Sequence, residues 1–70
     1  MTTETMLEFG DRVRDTIDGW SEQQQRSRMR LIADYASAAE DVFWAGQFGQ
    51  EVTDEMRAAV REAGEAVLNA

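Results

Sequence analysis

Residues 42–55 read VFWAGQFGQEVTDE, and the organisation of the chain turns on them. An apolar run ends at Ala45, two glycines bracket Gln47 and Phe48, and Thr53 is followed by Asp54 and Glu55. With no proline and few glycines in the chain, Gly46 and Gly49 are the natural places for a helix to stop. Thr53 has the character of a helix start. Its hydroxyl can accept from the free N–H groups of a first turn, and the two acids behind it favour the positive end of the helix dipole. The stretch therefore predicts a helix ending near Ala45, a loop over 46–50, and a last helix over about 54–68.

Downstream of the loop, Met56, Ala59, Val60, Ala63 and Val67 recur at helical spacing and predict one buried stripe. Gly64 interrupts that helix at a cost of about 1 kcal/mol relative to alanine, which close approach by a neighbouring helix would explain.

Upstream, Ser21 followed by Gln24 has the form of a capping box, so the helix before the loop is expected over 22–45. Its apolar residues Met29, Leu31, Ile32, Tyr35, Ala36, Ala39, Val42 and Phe43 cover an arc of roughly 160°, wider than packing on one neighbour requires. Contact with two elements is expected. At 1.5 Å per residue this helix would be about 36 Å long, against about 24 Å for its neighbours, so it must overhang, bend or find further partners. A first helix over 3–18, with Thr2 or Thr3 as N-cap and Gly19 as stop, aligns Met6, Phe9, Val13, Ile17 and Trp20 on one stripe. The expected fold is all-α: one domain over 1–70, a small three-helix bundle with a long central helix, with an intertwined helical dimer as the rival.

Seventy residues bury only about 60% of the surface that the unfolded chain exposes, so stability should be marginal and a partner would help. The net charge is -7 and the seven basic residues are all arginine. That balance argues against direct nucleic-acid binding, which needs a clustered positive surface, and favours a protein partner with a basic surface. There is no cysteine, no apolar run near the roughly 20 residues that span a bilayer, and no basic-then-apolar leader at the N-terminus. A cytoplasmic protein without membrane contact is expected.

Histidine, cysteine and lysine are all absent. Their absence removes the commonest general base, the thiol nucleophile and Schiff-base chemistry. Carboxylate pairs remain, but they need an apolar cleft that separates their pKa values, and a bundle this small has little room for one. Zinc sites need Cys or His, and no calcium loop occurs. No catalysis, metal or cofactor is expected.

Three surfaces stand out as binding candidates. Glu4, Glu8, Asp11, Asp15 and Asp18 fall within about 80° of arc opposite the first helix's apolar stripe, forming a ridge about 21 Å long. Arg12 and Arg14 project outside that ridge and are expected not to neutralise it. The ridge serves solubility in one reading and partial mimicry of a phosphate backbone in the other. Arg26, Arg28 and Arg30 crowd the start of the second helix, where its dipole disfavours cations. Either they pair internally, Arg30 with Asp34, or they meet an acidic partner. Trp44 projects about 140° from the centre of the apolar arc, on a face shared with Glu40 and Asp41. With Gln47 and the glycine-flanked Phe48 it predicts an apolar knob at one end of the bundle, where tryptophan is a common hot spot.

The function these features favour is a small acidic adaptor or inhibitor that docks on a larger protein. By analogy of size, charge and helicity alone, phage-encoded inhibitors of the anti-CRISPR type are such proteins. A structural subunit of a helical homo-oligomer, such as a homodimer, and a nucleic-acid mimic using the acidic helix face are the alternatives.

Overall fold

The computed structural model describes residues 3–70. Among them are four helices and no strand: α1 (Met6–Asp18), α2 (Glu22–Ser27), α3 (Met29–Gln47) and α4 (Asp54–Leu68). The chain is all-α, as its periodicities require.

Local chemistry sets each boundary. α1 begins later than expected, because Thr5 and not Thr3 is the N-cap; Thr2 lies outside the described residues. The Thr5 hydroxyl accepts from the Glu8 N–H at 3.1 Å, and the Glu8 carboxylate accepts from the Thr5 N–H at 3.2 Å. This reciprocal box satisfies two otherwise free donors. α1 does stop at Gly19, and the same box recurs at once between Ser21 and Gln24. The Gln25 side-chain amide donates to the Ile17 and Trp20 carbonyls at 3.2 and 3.3 Å and ties the two helices at this turn.

The single helix expected over 22–45 is two. The backbone departs from helical geometry at Arg28, with φ -113° and ψ 20°. Two competing interactions meet there. The Ser27 hydroxyl donates to the Gln24 carbonyl at 3.1 Å, a local bond of the kind that bends helices. The Arg28 guanidinium lies 4.6 Å from the centre of the Trp20 ring, a cation–π contact that draws the chain toward the end of α1. The bend resolves the excess length, since the 19 residues of α3 span about 28 Å.

At its other end α3 runs past Gly46 to Gln47. Gly49 ends it, with φ +68°. The Gln50 N–H donates to the Ala45 carbonyl at 2.8 Å and the Gly49 N–H to that of Gly46 at 3.4 Å, the paired bonds of a Schellman cap. A left-handed residue is needed at this point, and only glycine adopts it without cost. α4 opens at Thr53 as expected, with the Thr53 hydroxyl accepting from the Met56 N–H at 3.1 Å.

α4 lies against both α3 and α1, and α3 meets α4, α2 and, through Tyr35 beside Gly10, α1, so the long helix contacts more than one element as expected. Phe9, Val13, Val60 and Val67 are buried at the centre, with Met6, Ile17, Trp20, Leu31, Tyr35, Ala38, Val42 and Leu68 packed around them. Burying a side chain such as Phe9 or Val67 contributes about 1.5–3 kcal/mol. Gly64 makes this approach possible. A Cβ there would sit 2.5 Å from Phe9 Cε1 and Cζ, so the missing side chain is the space the Phe9 ring occupies. The Cα envelope measures 38 × 30 × 17 Å, about two helix layers in its thin direction.

These contacts cover only part of the apolar arc on α3. Leu31, Tyr35, Ala38 and Val42 face the core, while Met29, Ala36 and Phe43 are exposed. On α4, Ala59 is likewise exposed, although Met56, Val60, Ala63 and Val67 turn inward as the periodicity requires.

Candidate functional site

The Schellman cap at Gly49 closes the aromatic end of α3. It follows Phe48, the C-cap residue, which lies one helical turn beyond Trp44 and on the same side of the helix. The two rings stack with centroids 5.8 Å apart and planes at 24°. Phe43 meets the same indole edge-on, at 5.3 Å and 75°. Both geometries suit ring quadrupoles. The stack covers neither ring, for Trp44 remains 52% exposed, Phe48 72% and Phe43 56%. Trp44 is thus both capped by Phe48 and presented to solvent. Glu40, Asp41 and Gln47 are exposed around it.

Phe43 belongs to this surface, and periodicity alone assigned it to the core. Its neighbour Trp44 was the available signal, since the edge of an apolar arc next to an exposed indole is the part most easily left outside. Leu7, 78% exposed, was legible in the same way, because it projects well away from the stripe formed by Phe9 and Val13.

The electrostatic setting of the aromatic end is acidic. Residues 31–56 contain Asp34, Glu40, Asp41, Glu51, Asp54 and Glu55 and no basic side chain. The groove beside it, between α3 and α4, is floored by Ala38 and Ala59 and lined by Asp34, Asp41 and Glu55.

Of the acids expected to form a ridge, Glu8, Asp11 and Asp15 of α1 and Glu4, which precedes the helix, lie around a shallow depression that also takes in Arg12 and Thr16. The expectation that Arg12 leaves the ridge alone is corrected, since its guanidinium pairs with Glu4 at 2.9 Å. Glu8 is engaged in the Thr5 cap. Asp11, Asp15 and Asp18 are exposed and carry the ridge's open charge.

The arginines of the second helix divide between local partners. Arg26 pairs with Glu22 at 2.7 Å, and Arg28 lies over Trp20. The expected pairing of Arg30 with Asp34 is corrected too, because among the described residues Arg30 forms no ion pair and Asp34 lines the α3/α4 groove.

The titration of Tyr35 responds to its surroundings. Burial pushes its phenol above the ordinary value, Arg14 partly offsets this, and Asp11 adds to it. Its hydroxyl fills the space beside Gly10, where a Cβ would come within 3.3 Å of it, so it serves the α1/α3 contact. Among the described residues no three acidic side chains converge to hold a metal ion, and no helix is long and apolar enough to cross a membrane.

Compared with protein-family models, with curated proteins and with solved structures, the chain matches none.

Proposed function

We propose that this chain is a small, non-enzymatic protein-binding module, an adaptor or inhibitor that docks on a larger protein through Trp44 and Phe48, with Phe43 beside them. The observation that carries the reading is a stacked aromatic pair at the glycine-capped end of α3, left open to solvent. A preorganised aromatic anchor loses little conformational entropy on binding. Aromatic residues of this kind are the usual hot spots of interfaces. The partner's complementary surface is an apolar pocket with basic residues at its rim, because Glu40, Asp41 and Glu51 are exposed and near the rings in sequence and opposite charges speed and orient association.

In this reading α1, α3 and α4 form a three-helix bundle within a single domain and α2 is a bent extension of α3. The core of Phe9, Val13, Val60 and Val67 closes within one chain, which favours the bundle over an intertwined dimer. The protein acts in the cytoplasm.

The test is capture of the binding partner from the native host, followed by affinity measurements on two variants. Trp44→Ala is expected to weaken binding at least 30-fold, about 2 kcal/mol, with helicity unchanged. Neutralising the ridge by Glu8→Gln, Asp11→Asn and Asp15→Asn together is expected to lower mainly the association rate. The opposite pattern, binding lost on ridge neutralisation and kept in Trp44→Ala, would replace the knob by mimicry of a nucleic-acid backbone.

A further inference from the structure

We infer that two copies of this chain associate, antiparallel, along the outer face of α3. Met29, Ile32, Ala36, Ala39, Phe43 and Gly46 succeed one another at spacings of three and four, the heptad seam of a coiled coil. The fold leaves this seam without a neighbour. Met29 is 59% and Phe43 56% exposed, Ala36 and Gly46 are exposed, and Ile32 and Ala39 are only half-buried. Leu7 extends the apolar surface from α1, since it lines a cleft with Ala39 and Val42. The surface area of 5401 Å² exceeds by about 1,000 Å² the area a compact monomer of this mass exposes.

The pattern of large and small residues selects the occupant and its direction. In an antiparallel pair related by a two-fold axis, Met29 meets Gly46 of the second copy, Ile32 meets Phe43, and Ala36 meets Ala39. Met29 then faces a glycine, Phe43 packs on the smaller Ile32, and the alanines let the helices approach closely at the centre. A parallel pair would set Phe43 against Phe43 and Met29 against Met29, crowding that the antiparallel direction avoids.

Charge agrees with that direction. α1 runs opposite to α3, with Leu7 beside Ala39, Gly10 beside Tyr35 and Trp20 beside Arg28. The antiparallel pair therefore carries Arg30 of one copy, which forms no ion pair among the described residues, to the end of the other where Glu4 and Glu8 stand at the start of α1. This local attraction opposes the general repulsion between two chains of charge -7. The strip is about 26 Å long and one helix wide, well below the roughly 800 Å² per partner of a standard interface, so the dimer is weak and reversible. Trp44 and Phe48 lie about a quarter-turn or more round α3 and stay uncovered.

Sedimentation equilibrium of the full chain, from about 5 to 500 µM, tests the inference at affinities expected for so small an interface. The apparent mass should rise from the 7.9 kDa of the monomer toward twice that value and no further. Ala36→Glu and, separately, Met29→Glu change exposed positions and should hold the protein monomeric with an unchanged helical spectrum. Trp44→Ala should associate as the parent does, which separates this interface from the knob. A parent that stays monomeric throughout, a mass beyond the dimer, or Glu variants that still associate would each overturn the inference.

Discussion

Replacing Gly64 by alanine sets two sizeable effects against each other. Alanine is favoured over glycine in a helix interior by about 1 kcal/mol, so on propensity alone Gly64→Ala should stabilise α4. The structure opposes it. The added Cβ would stand 2.5 Å from two ring carbons of Phe9 and 3.1 Å from Val13 Cγ2, where carbon atoms prefer about 3.5–4 Å. Either the ring moves by about 1 Å or α4 backs away from α1 by as much. Phe9 and Val13 are fully buried, and the Arg12 and Arg61 guanidinia lie 5.6 and 5.2 Å from the centre of the Phe9 ring. Such overpacking costs about 1–3 kcal/mol, and an overlap this deep belongs in the upper part of that range. The expected net loss is about 1–2 kcal/mol, or roughly 5–15 °C in melting temperature for a domain of this size. Gly46→Ala is the matched control, because a Cβ there meets nothing within 4 Å and α3 should gain up to about 1 kcal/mol. Thermal unfolding followed by circular dichroism reads both. If Gly64→Ala melts at or above the parent temperature, the close α1/α4 approach through Gly64 is wrong. Adding Phe9→Leu should recover part of the loss in Gly64→Ala, a coupling that unrelated sites would not show.

Gly49→Ala places a side chain at φ +68°, which costs about 1–2 kcal/mol, and loosens the cap that follows Phe48. Its signature is a Trp44 fluorescence change larger than the loss of helicity. Tyr35 predicts an alkaline limit to stability. Its folded-state pKa is raised by burial, so its contribution is complete below the unfolded value of about 10 and is lost as pH rises toward and through the folded one. Tyr35→Phe should therefore flatten the fall in melting temperature above about pH 10, and an unchanged alkaline profile would exclude Tyr35 as its cause.

Much of the fold could be read from spacing alone. The Met6, Phe9, Val13, Ile17 and Trp20 stripe, the Ser21 and Thr53 caps and the stop at Gly19 depend on residues within a few positions of each other, and each stands as expected. The bend at Arg28 was not legible, because it involves Trp20, in the turn between α1 and α2, approaching the guanidinium. The Arg12 to Glu4 pair escaped for a different reason. Glu4 precedes the Thr5 cap and lies off the helix, so a projection that carries the helix back to residue 3 misplaces it. At the candidate site, Trp44 and Phe48 were legible because each breaks a local pattern, one on a polar face and the other between glycines. Their stacking follows from the i, i+4 spacing at the end of α3.

The wide apolar arc of α3 shows how one periodic signal can carry two meanings. A projection sums every apolar direction and cannot say which neighbour fills each. Within this chain α4 and α1 cover the half of the arc marked by Leu31, Tyr35, Ala38 and Val42, and the half marked by Met29, Ala36 and Phe43 is left in water. The residues of the uncovered half differ in kind from those of the core: two large side chains stand at its ends and alanines at its middle. A solvated helix face needs no such order. A seam that must admit a second helix does, and the excess width of the arc is then a sign of contact with a second chain.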